Sequence, residues 1–155
     1  MVRQFFYSVF ADLYWRAMMK SADSTLAAIA AKSEKESAYH LRHSSEWIVR
    51  LGDGTAESHA RAQSAIDDLW AFTGELFEAD DSERALIDAG IAVNPAGLRP
   101  QWLKTISSIV GEATLALPNN DWMQQGGRSG RHSEHLGHLL SELQSMQRTF
   151  PGLTW

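Results

Sequence analysis

The hexapeptide Lys35-Glu36-Ser37-Ala38-Tyr39-His40 decides which kind of helical protein this sequence encodes. It lies in a long segment with helical periodicity, in which residues three or four apart share a face. Helix bundles that hold two metal ions use the pattern Glu-x-x-His, which places both ligands on one such face. Here the third residue after Glu36 is Tyr39, and the histidine follows one position later. The framework is therefore that of a metal-binding bundle, whereas the ligand set is not.

The segments on both sides of the hexapeptide show the same helical spacing of apolar residues. We predict helices over about 3–20, 25–51, 56–78, 98–117 and 133–150, and a short helix over 82–90. Gly52-Asp53-Gly54 is a strong helix-ending signal, and Pro151-Gly152 ends the last helix. No segment shows sustained period-two alternation. The sequence therefore predicts an all-α helical bundle that forms a single domain over residues 1–155.

Composition excludes several classes of function. The chain has 155 residues, 44% of them hydrophobic, a formal net charge of −5 and no cysteine. The acidic balance argues against nucleic-acid binding, which needs a basic face. The lack of cysteine excludes disulfides, zinc–thiolate sites and iron–sulfur clusters. No apolar run approaches the ~20 residues of a membrane span, and no signal-peptide pattern is present, so we predict a cytoplasmic protein.

The first predicted helix carries aromatic side chains around most of its circumference and begins without a capping residue. Such a helix needs neighbours on every side, which a terminal helix of a small monomer rarely has. Either this chain is a piece of a longer bundle, or it buries the helix against a partner. Apolar surfaces rich in Tyr and Trp are typical of interfaces. We predict a partner interface that includes Phe6, Phe10, Tyr14 and Trp15.

The second helix offers the first candidate site. Glu36, His40 and His43 share one face. They could form half of a metal or proton-relay site, which would need further carboxylates from other helices. The ordinary interpretation, which we favour, is a partly buried Glu36–His40 contact. On the first helix, Asp12 and Arg16 have the spacing of an i, i+4 ion pair.

The second candidate is the histidine-rich start of the last helix. His132 falls in line with the apolar stripe, and His135 lies at its edge, so both could be buried or could reach a partner. Glu134 and His138 point away, which excludes a site that uses all of these residues. The preceding glycine-rich loop, residues 125–131, could meet an anion through its two arginines, but it lacks a P-loop pattern. We favour a plain surface connection.

Several stretches resemble the structural, non-catalytic C subunits of phenylacetyl-CoA epoxidase complexes, in order and over essentially the whole chain. The stretches that carry the resemblance are Arg3–Phe6, Ala30–Arg42, Ser44–Trp47, Arg50–Thr55, Asp68–Trp70, Thr73–Phe77, Glu112–Leu115, Gly130–His132, Glu134–Gly137, Phe150–Gly152 and Trp155. That family often carries a carboxylate at the position of Ser8, which weakens metal binding here further.

The resemblance implies a ferritin-like helical bundle, of which this chain is the C-terminal part without an earlier pair of helices. It also implies that the dimetal iron centre lies in a partner, the catalytic A subunit, and that this chain holds no catalytic residue, metal or cofactor. We therefore predict a non-catalytic structural subunit that docks and stabilises the catalytic subunit during ring 1,2-epoxidation in aerobic phenylacetate catabolism. Two alternatives stay open: a dimetal monooxygenase in its own right, with Glu36 and His40 as ligands, and a metal-free adaptor without an oxygenase partner.

Overall fold

The computed structural model describes residues 1–119 and 122–154, and every regular element within those ranges is helical. The predicted all-α class is therefore confirmed. The α-helices are α1 (Val2–Met18), α2 (Ser24–Gly52), α3 (Ala56–Trp70), α4 (Asp81–Asp88), α5 (Arg99–Glu112), α6 (His135–Leu143) and α7 (Ser145–Thr149). Single 3-10 turns lie at Gly74–Phe77, Pro95–Leu98 and Gly127–Ser129.

The chain falls into two compact units, Met1–Gln124 and Gln125–Trp155. The predicted single domain over residues 1–155 stays a prediction. The first unit holds α1 to α5. Within it, α1 packs most extensively along α2, and both also contact α3 and α5. The second unit holds the two short helices α6 and α7.

Side-chain caps fix where α2 and α3 begin. The Asp23 carboxylate accepts hydrogen bonds from the backbone N–H groups of Thr25 and Leu26, at 2.8 and 2.9 Å. Thr55 and Ser58 form a reciprocal capping box at the start of α3. Each cap satisfies donors that have no partner inside the helix. The sequence thus sets the register at which α2 and α3 present their apolar faces.

The core of the first unit is built around α1. Phe5 and Val9 on α1, Ile48 on α2, Ile66 on α3 and Ile106 on α5 are all essentially inaccessible to solvent. An aromatic cluster extends this core, and its members are Phe6, Trp70, Phe77 and Trp102.

The predicted third helix, residues 56–78, is too long. In the structure α3 ends at Trp70 with a change to 3-10 bonding, in which the N–H and the hydroxyl group of Thr73 both donate to the Trp70 carbonyl, three residues back, at 3.0 and 2.8 Å. This carbonyl is one that a continuing helix would use for its own ladder. The chain then turns into the 3-10 segment Gly74–Phe77, which still buries Phe77 as the apolar pattern requires.

The predicted fourth helix, residues 98–117, also ends early. Thr114 adopts a left-handed conformation, with φ of 59°, and the N–H of Leu115 bonds back to the Val110 carbonyl at 3.0 Å. This back-bonded geometry closes a helix C-terminus. The sequence did not predict this helix end, because glycine or asparagine, and not threonine, normally occupies the left-handed position after a helix.

The predicted last helix, residues 133–150, is divided between α6 and α7. Its apolar spacing predicts a buried face of Leu136, Leu139, Leu140, Leu143 and Met146, which is wrong within its own unit. Leu139 is 54% exposed and Leu143 is 67% exposed. Leu136 is half-buried, and Leu140 and Met146 are exposed. The unit is too short to enclose a core, because small chains cover little of their own apolar surface.

Candidate functional site

Helix α2, which carries the hexapeptide, has one narrow buried stripe. Its residues toward the bundle are small or apolar: Ala30, Ser37, Ser44 and Ile48. The Ser44 hydroxyl donates to the His40 carbonyl of its own helix at 2.7 Å. Glu36, His40 and His43 are not part of this stripe: Glu36 and His40 are exposed, and the ring of His43 lies on the outer row described next. The predicted partly buried Glu36–His40 contact is therefore corrected, because both residues lie on the side of α2 away from the other helices.

The exposed side of α2 carries a continuous row of rings. The ring of Tyr39 stacks on that of His43 at 6.0 Å and 16°, and His43 meets Trp47 edge-on at 6.4 Å. Two guanidinium groups cover its ends, Arg42 over Tyr39 and Arg50 over Trp47, each 5.7 Å from the ring centre. We call these five residues the α2 ladder. Sequence reasoning missed it as a surface, although the i, i+4, i+8 spacing of its rings was visible.

The residues of this face do not fit a dimetal centre. Tyr39 occupies the place three residues after Glu36, and its ring also contacts His40, with 5.6 Å between ring centres. Within residues 1–119 and 122–154, no three histidine, cysteine, aspartate or glutamate side chains come together in a way that could hold a metal ion. A dimetal site of the bundle type needs at least four carboxylates with two histidines. We derive no reaction step through metal at this face.

A buried carboxylate lies between α1 and α2. Asp12 is 4% exposed, and its Oδ1 is 3.0 Å from Nη2 of Arg16, which confirms the predicted ion pair. Nε of Arg16 is also 3.5 Å from Oε1 of Glu34 on α2. One half-exposed guanidinium therefore links carboxylates of two helices. One turn earlier on α1, the amide of Gln4 donates to the Ser8 hydroxyl at 2.9 Å.

Burial raises the pKa of Asp12 above its ordinary value of 3.8, and the positive charge of Arg16 offsets only part of that rise, to which Glu34 adds. Desolvation disfavours the charged carboxylate more than the ion pair favours it. Asp12 with Arg16 and Glu34 therefore joins α1 to α2 at an energetic cost. The arrangement resembles a structural contact between helices more than a reactive centre.

Substituting Asp12 by asparagine is expected to change how stability depends on pH. Because the folded chain holds the proton of Asp12 more tightly than the unfolded chain, the free energy of unfolding falls as the pH rises from about 3.8 through the raised pKa. D12N should lack this decrease. Urea unfolding of both proteins from pH 3.5 to 7 tests it. A stability difference between them that does not change over that range would contradict the expectation.

The predicted interface residues of α1 are divided between core and surface. Phe6 is 3% exposed and packs between Trp70 and Trp102. It belongs to the core of this chain and not to the predicted partner surface. Phe10, Tyr14 and Trp15 are half-buried. They form a connected row whose ring centres are 5.7 and 5.3 Å apart. Whether a partner contacts that row stays a prediction.

Tyr7 is an α1 aromatic residue that our interface prediction left out. It is 44% exposed, and the guanidinium group of Arg3 lies 5.3 Å from its ring centre. Tyr7 and Arg3 line an apolar groove of about 240 Å³ together with Leu69, Phe72 and Leu76.

The C-terminal candidates lie in the second unit. His132, His135 and His138 are all exposed, so burial of the first two within this chain is wrong, and the alternative that they reach a partner stays a prediction. In the preceding loop, Gly126 and Gly130 adopt left-handed conformations, with φ of 98° and 83°. A Cβ at Gly126 would lie 2.8 Å from the Arg131 side chain, so this turn requires glycine. The loop forms a 3-10 turn at Gly127–Ser129, and its role as a plain surface connection stays a prediction.

Comparison with known proteins relates this chain to a protein family and to a known relative. A family profile described as phenylacetic acid catabolic protein matches residues 1–155. The C subunit of the 1,2-phenylacetyl-CoA epoxidase of Escherichia coli (strain K12) is 45% identical over 153 residues. This match covers 99% of the present chain and 62% of the E. coli protein, so the chain spans about three-fifths of its relative's length.

A membrane-spanning segment is not found among the described helices, none of which combines the length and apolar character that crossing a bilayer requires.

Proposed function

This chain belongs to the phenylacetic acid catabolic protein family, and from that premise we propose that it serves as a non-catalytic structural subunit of a multicomponent phenylacetyl-CoA epoxidase. Its role is to dock and stabilise the subunit in which the ring of phenylacetyl-CoA is epoxidised. The ferritin-like, all-α class predicted from the sequence agrees with this family.

One observation carries the non-catalytic part of the proposal. The position that completes Glu-x-x-His on α2 holds Tyr39, whose ring stacks on His43. The residue three positions after Glu36 is thus a phenol and not the imidazole that the motif requires. The buried stripe of α2 offers serine and alanine instead of carboxylates. Neither side of the helix therefore presents the donor set of a dimetal oxygenase.

The iron centre belongs, in this proposal, to a catalytic A subunit of similar fold. The half-buried row of Phe10, Tyr14 and Trp15 is the proposed contact surface on this chain, because partly exposed aromatic side chains are typical anchors of subunit interfaces. Tyr7 extends the same helix face toward the groove beside Phe72. A cytoplasmic location stays a prediction.

Co-expression of this chain with the catalytic oxygenase subunit of the same host tests the proposal. We expect the two to co-purify, with iron in the complex, epoxidation of phenylacetyl-CoA by the complex with its reductase, and neither iron nor turnover in this chain alone. Stoichiometric iron with turnover in the isolated chain would establish the dimetal monooxygenase instead. Failure of the two subunits to associate would favour an adaptor without an oxygenase partner.

A further inference from the structure

We propose that a cavity between the end of α3 and the start of α5 binds the free anion of a small aromatic acid, with the ring inside and the carboxylate at Arg99. The cavity has a volume of about 260 Å³ and lies within the first unit. It shares no lining residue with the α2 ladder or with the row of Phe10, Tyr14 and Trp15. The proposal rests on the lining residues and does not depend on a role in the epoxidase.

Three segments of the first unit enclose the cavity. Trp70 ends α3, and Phe77 ends the 3-10 turn that follows it. Trp102 comes from α5, and Met123 comes from the loop after that helix. Met123 packs directly on Gly74, where an added Cβ would lie 3.0 Å from the Met123 Cβ. A methionine wall adapts to the outline of a ligand, because its thioether side chain is unbranched and flexible.

The inner end of the cavity is aromatic. The rings of Trp70, Phe77 and Trp102 line it, and all three residues are buried. The ring centre of Trp102 lies 5.8 Å from that of Trp70 and 5.3 Å from that of Phe77. Aromatic rings attract one another in tilted or edge-to-face arrangements at centre distances of about 4.5–7 Å. This end of the cavity therefore favours a further aromatic ring.

Two hydrogen-bond donors at the inner end already have partners. The hydroxyl group of Thr73 donates to the Trp70 carbonyl at 2.8 Å, and Nε1 of Trp102 donates to the Phe6 carbonyl at 2.9 Å. A carboxylate placed beside them would lose its hydration without gaining either donor, which costs free energy. A ligand with a ring and a carboxylate therefore binds with its ring inward.

The open side of the cavity carries positive charge. Arg99 and Asn119 line it, and both are exposed. Within residues 1–119 and 122–154, the Arg99 guanidinium group has neither a hydrogen bond nor an ion pair. None of the described lining residues is acidic, although the chain as a whole has a net charge of −5. A guanidinium group in such surroundings is free to form the charge-assisted, often bidentate hydrogen bonds that hold a carboxylate.

The volume limits the size of the acid. An apolar cavity of about 150 Å³ holds benzene, so 260 Å³ leaves room for a ring with a short acidic side chain. Pockets for larger, drug-sized ligands begin at about 300 Å³, and a whole CoA thioester exceeds the volume of this one. Phenylacetate, the acid named in the family description, combines the required ring, length and charge. It is therefore the probe of choice for this ligand class.

Titration of the full chain with sodium phenylacetate, after carbon-13 labelling of its methionine methyl groups, provides the test. A bound aromatic ring should shift the NMR signal of the Met123 methyl group, which M123L identifies by its loss. Met18, which is buried in the core, and Met146, which lies in the second unit, should keep their shifts. We expect saturable binding with a Kd of about 1 mM or below.

Matched ligands separate the contributions of ring and charge. Phenylacetamide has nearly the same shape without the charge, and it should bind at least tenfold more weakly because hydrogen bonds to charged groups are stronger. Acetate has the charge without the ring, and it should leave the Met123 signal unchanged.

R99Q and R3Q are the matched protein variants. Each removes one exposed guanidinium group, and Arg3 lines the separate groove beside Tyr7. R99Q should bind phenylacetate at least tenfold more weakly and should no longer distinguish it from phenylacetamide. R3Q should bind like the parent chain. Circular dichroism of both variants verifies that they are folded, as the exposure of both side chains leads us to expect.

Four results would overturn the proposal. The first is an unchanged Met123 signal at phenylacetate concentrations about tenfold above the expected Kd. The second is equal affinity of the parent chain for the acid and the amide, and the third is an R99Q variant with the parent's affinity. The fourth is a shift of the Met146 signal as large as that of Met123, which would show non-specific association.

Discussion

Replacing Gly52 by alanine is expected to lower the free energy of unfolding by about 3 kcal/mol. Gly52 is the last residue of α2, where this helix meets the end of α5. A Cβ there would lie 2.1 Å from the carbonyl oxygen of Ala113 and 2.9 Å from its Cβ. Both contacts involve atoms that no side-chain rotation can move, so the two helices must separate. The better helix propensity of alanine, worth ~1 kcal/mol, does not compensate.

Gly111 is the matched control for this substitution. It lies within α5, and a Cβ added there meets nothing within 4 Å. G111A should therefore be neutral or should raise the free energy of unfolding by up to ~1 kcal/mol. Urea or guanidinium unfolding followed by circular dichroism measures both variants. Equal stabilities for G52A and G111A would show that the close approach of α2 and α5 does not constrain the fold.

Truncation of Trp102 to alanine is expected to have the largest effect on stability of any substitution considered, a loss of about 3–5 kcal/mol. Trp102 is 2% exposed and contacts three other rings, those of Phe6, Trp70 and Phe77. Its Nε1 also donates to the Phe6 carbonyl at 2.9 Å. The substitution therefore leaves a cavity at the junction of α1, α3 and α5, and removes a buried hydrogen bond.

Two companion substitutions separate these contributions. W102F keeps an aromatic ring and removes the donor, so it should cost less than W102A, with about 1 kcal/mol of the cost due to the hydrogen bond. Trp122 is 60% exposed, and W122A should leave stability within about 0.5 kcal/mol of the parent. Denaturant unfolding at constant pH compares the three. A W102A protein as stable as the W122A protein would contradict the placement of this cluster in the core.

The parts of the fold that could be predicted are those set by local signals. Asp23 and Thr55 cap helices where the sequence indicates helix starts, and the apolar spacing identifies Ile48, Ile66 and Ile106 as core residues. The early end of α5 could not be predicted, because it depends on a threonine in a glycine-like conformation. The hydroxyl group of Thr114 lies 3.4 Å from the Gly52 carbonyl oxygen at the end of α2, a contact between distant segments that a single sequence does not record.

The candidate site could likewise be predicted only in part from the sequence. The Asp12–Arg16 pair follows from spacing, but its burial and its link to Glu34 depend on how α1 lies against α2. Apolar periodicity likewise predicts that Ile29 and Trp47 lie on the apolar side of α2, although both are exposed. A helical wheel shows which residues share a face. It does not show how many of those faces the rest of the chain covers.

The hydrogen bond from Trp102 to Phe6 spans 96 residues of sequence, and this has a consequence for biosynthesis. Ribosomes add about 5–20 residues each second, so α1 leaves the exit tunnel roughly 5 to 20 seconds before the indole that will enclose it. During that interval the phenyl rings of α1 are accessible to chaperones and to other nascent chains. Yield in the cell should therefore respond to translation speed over the codons between Phe6 and Trp102.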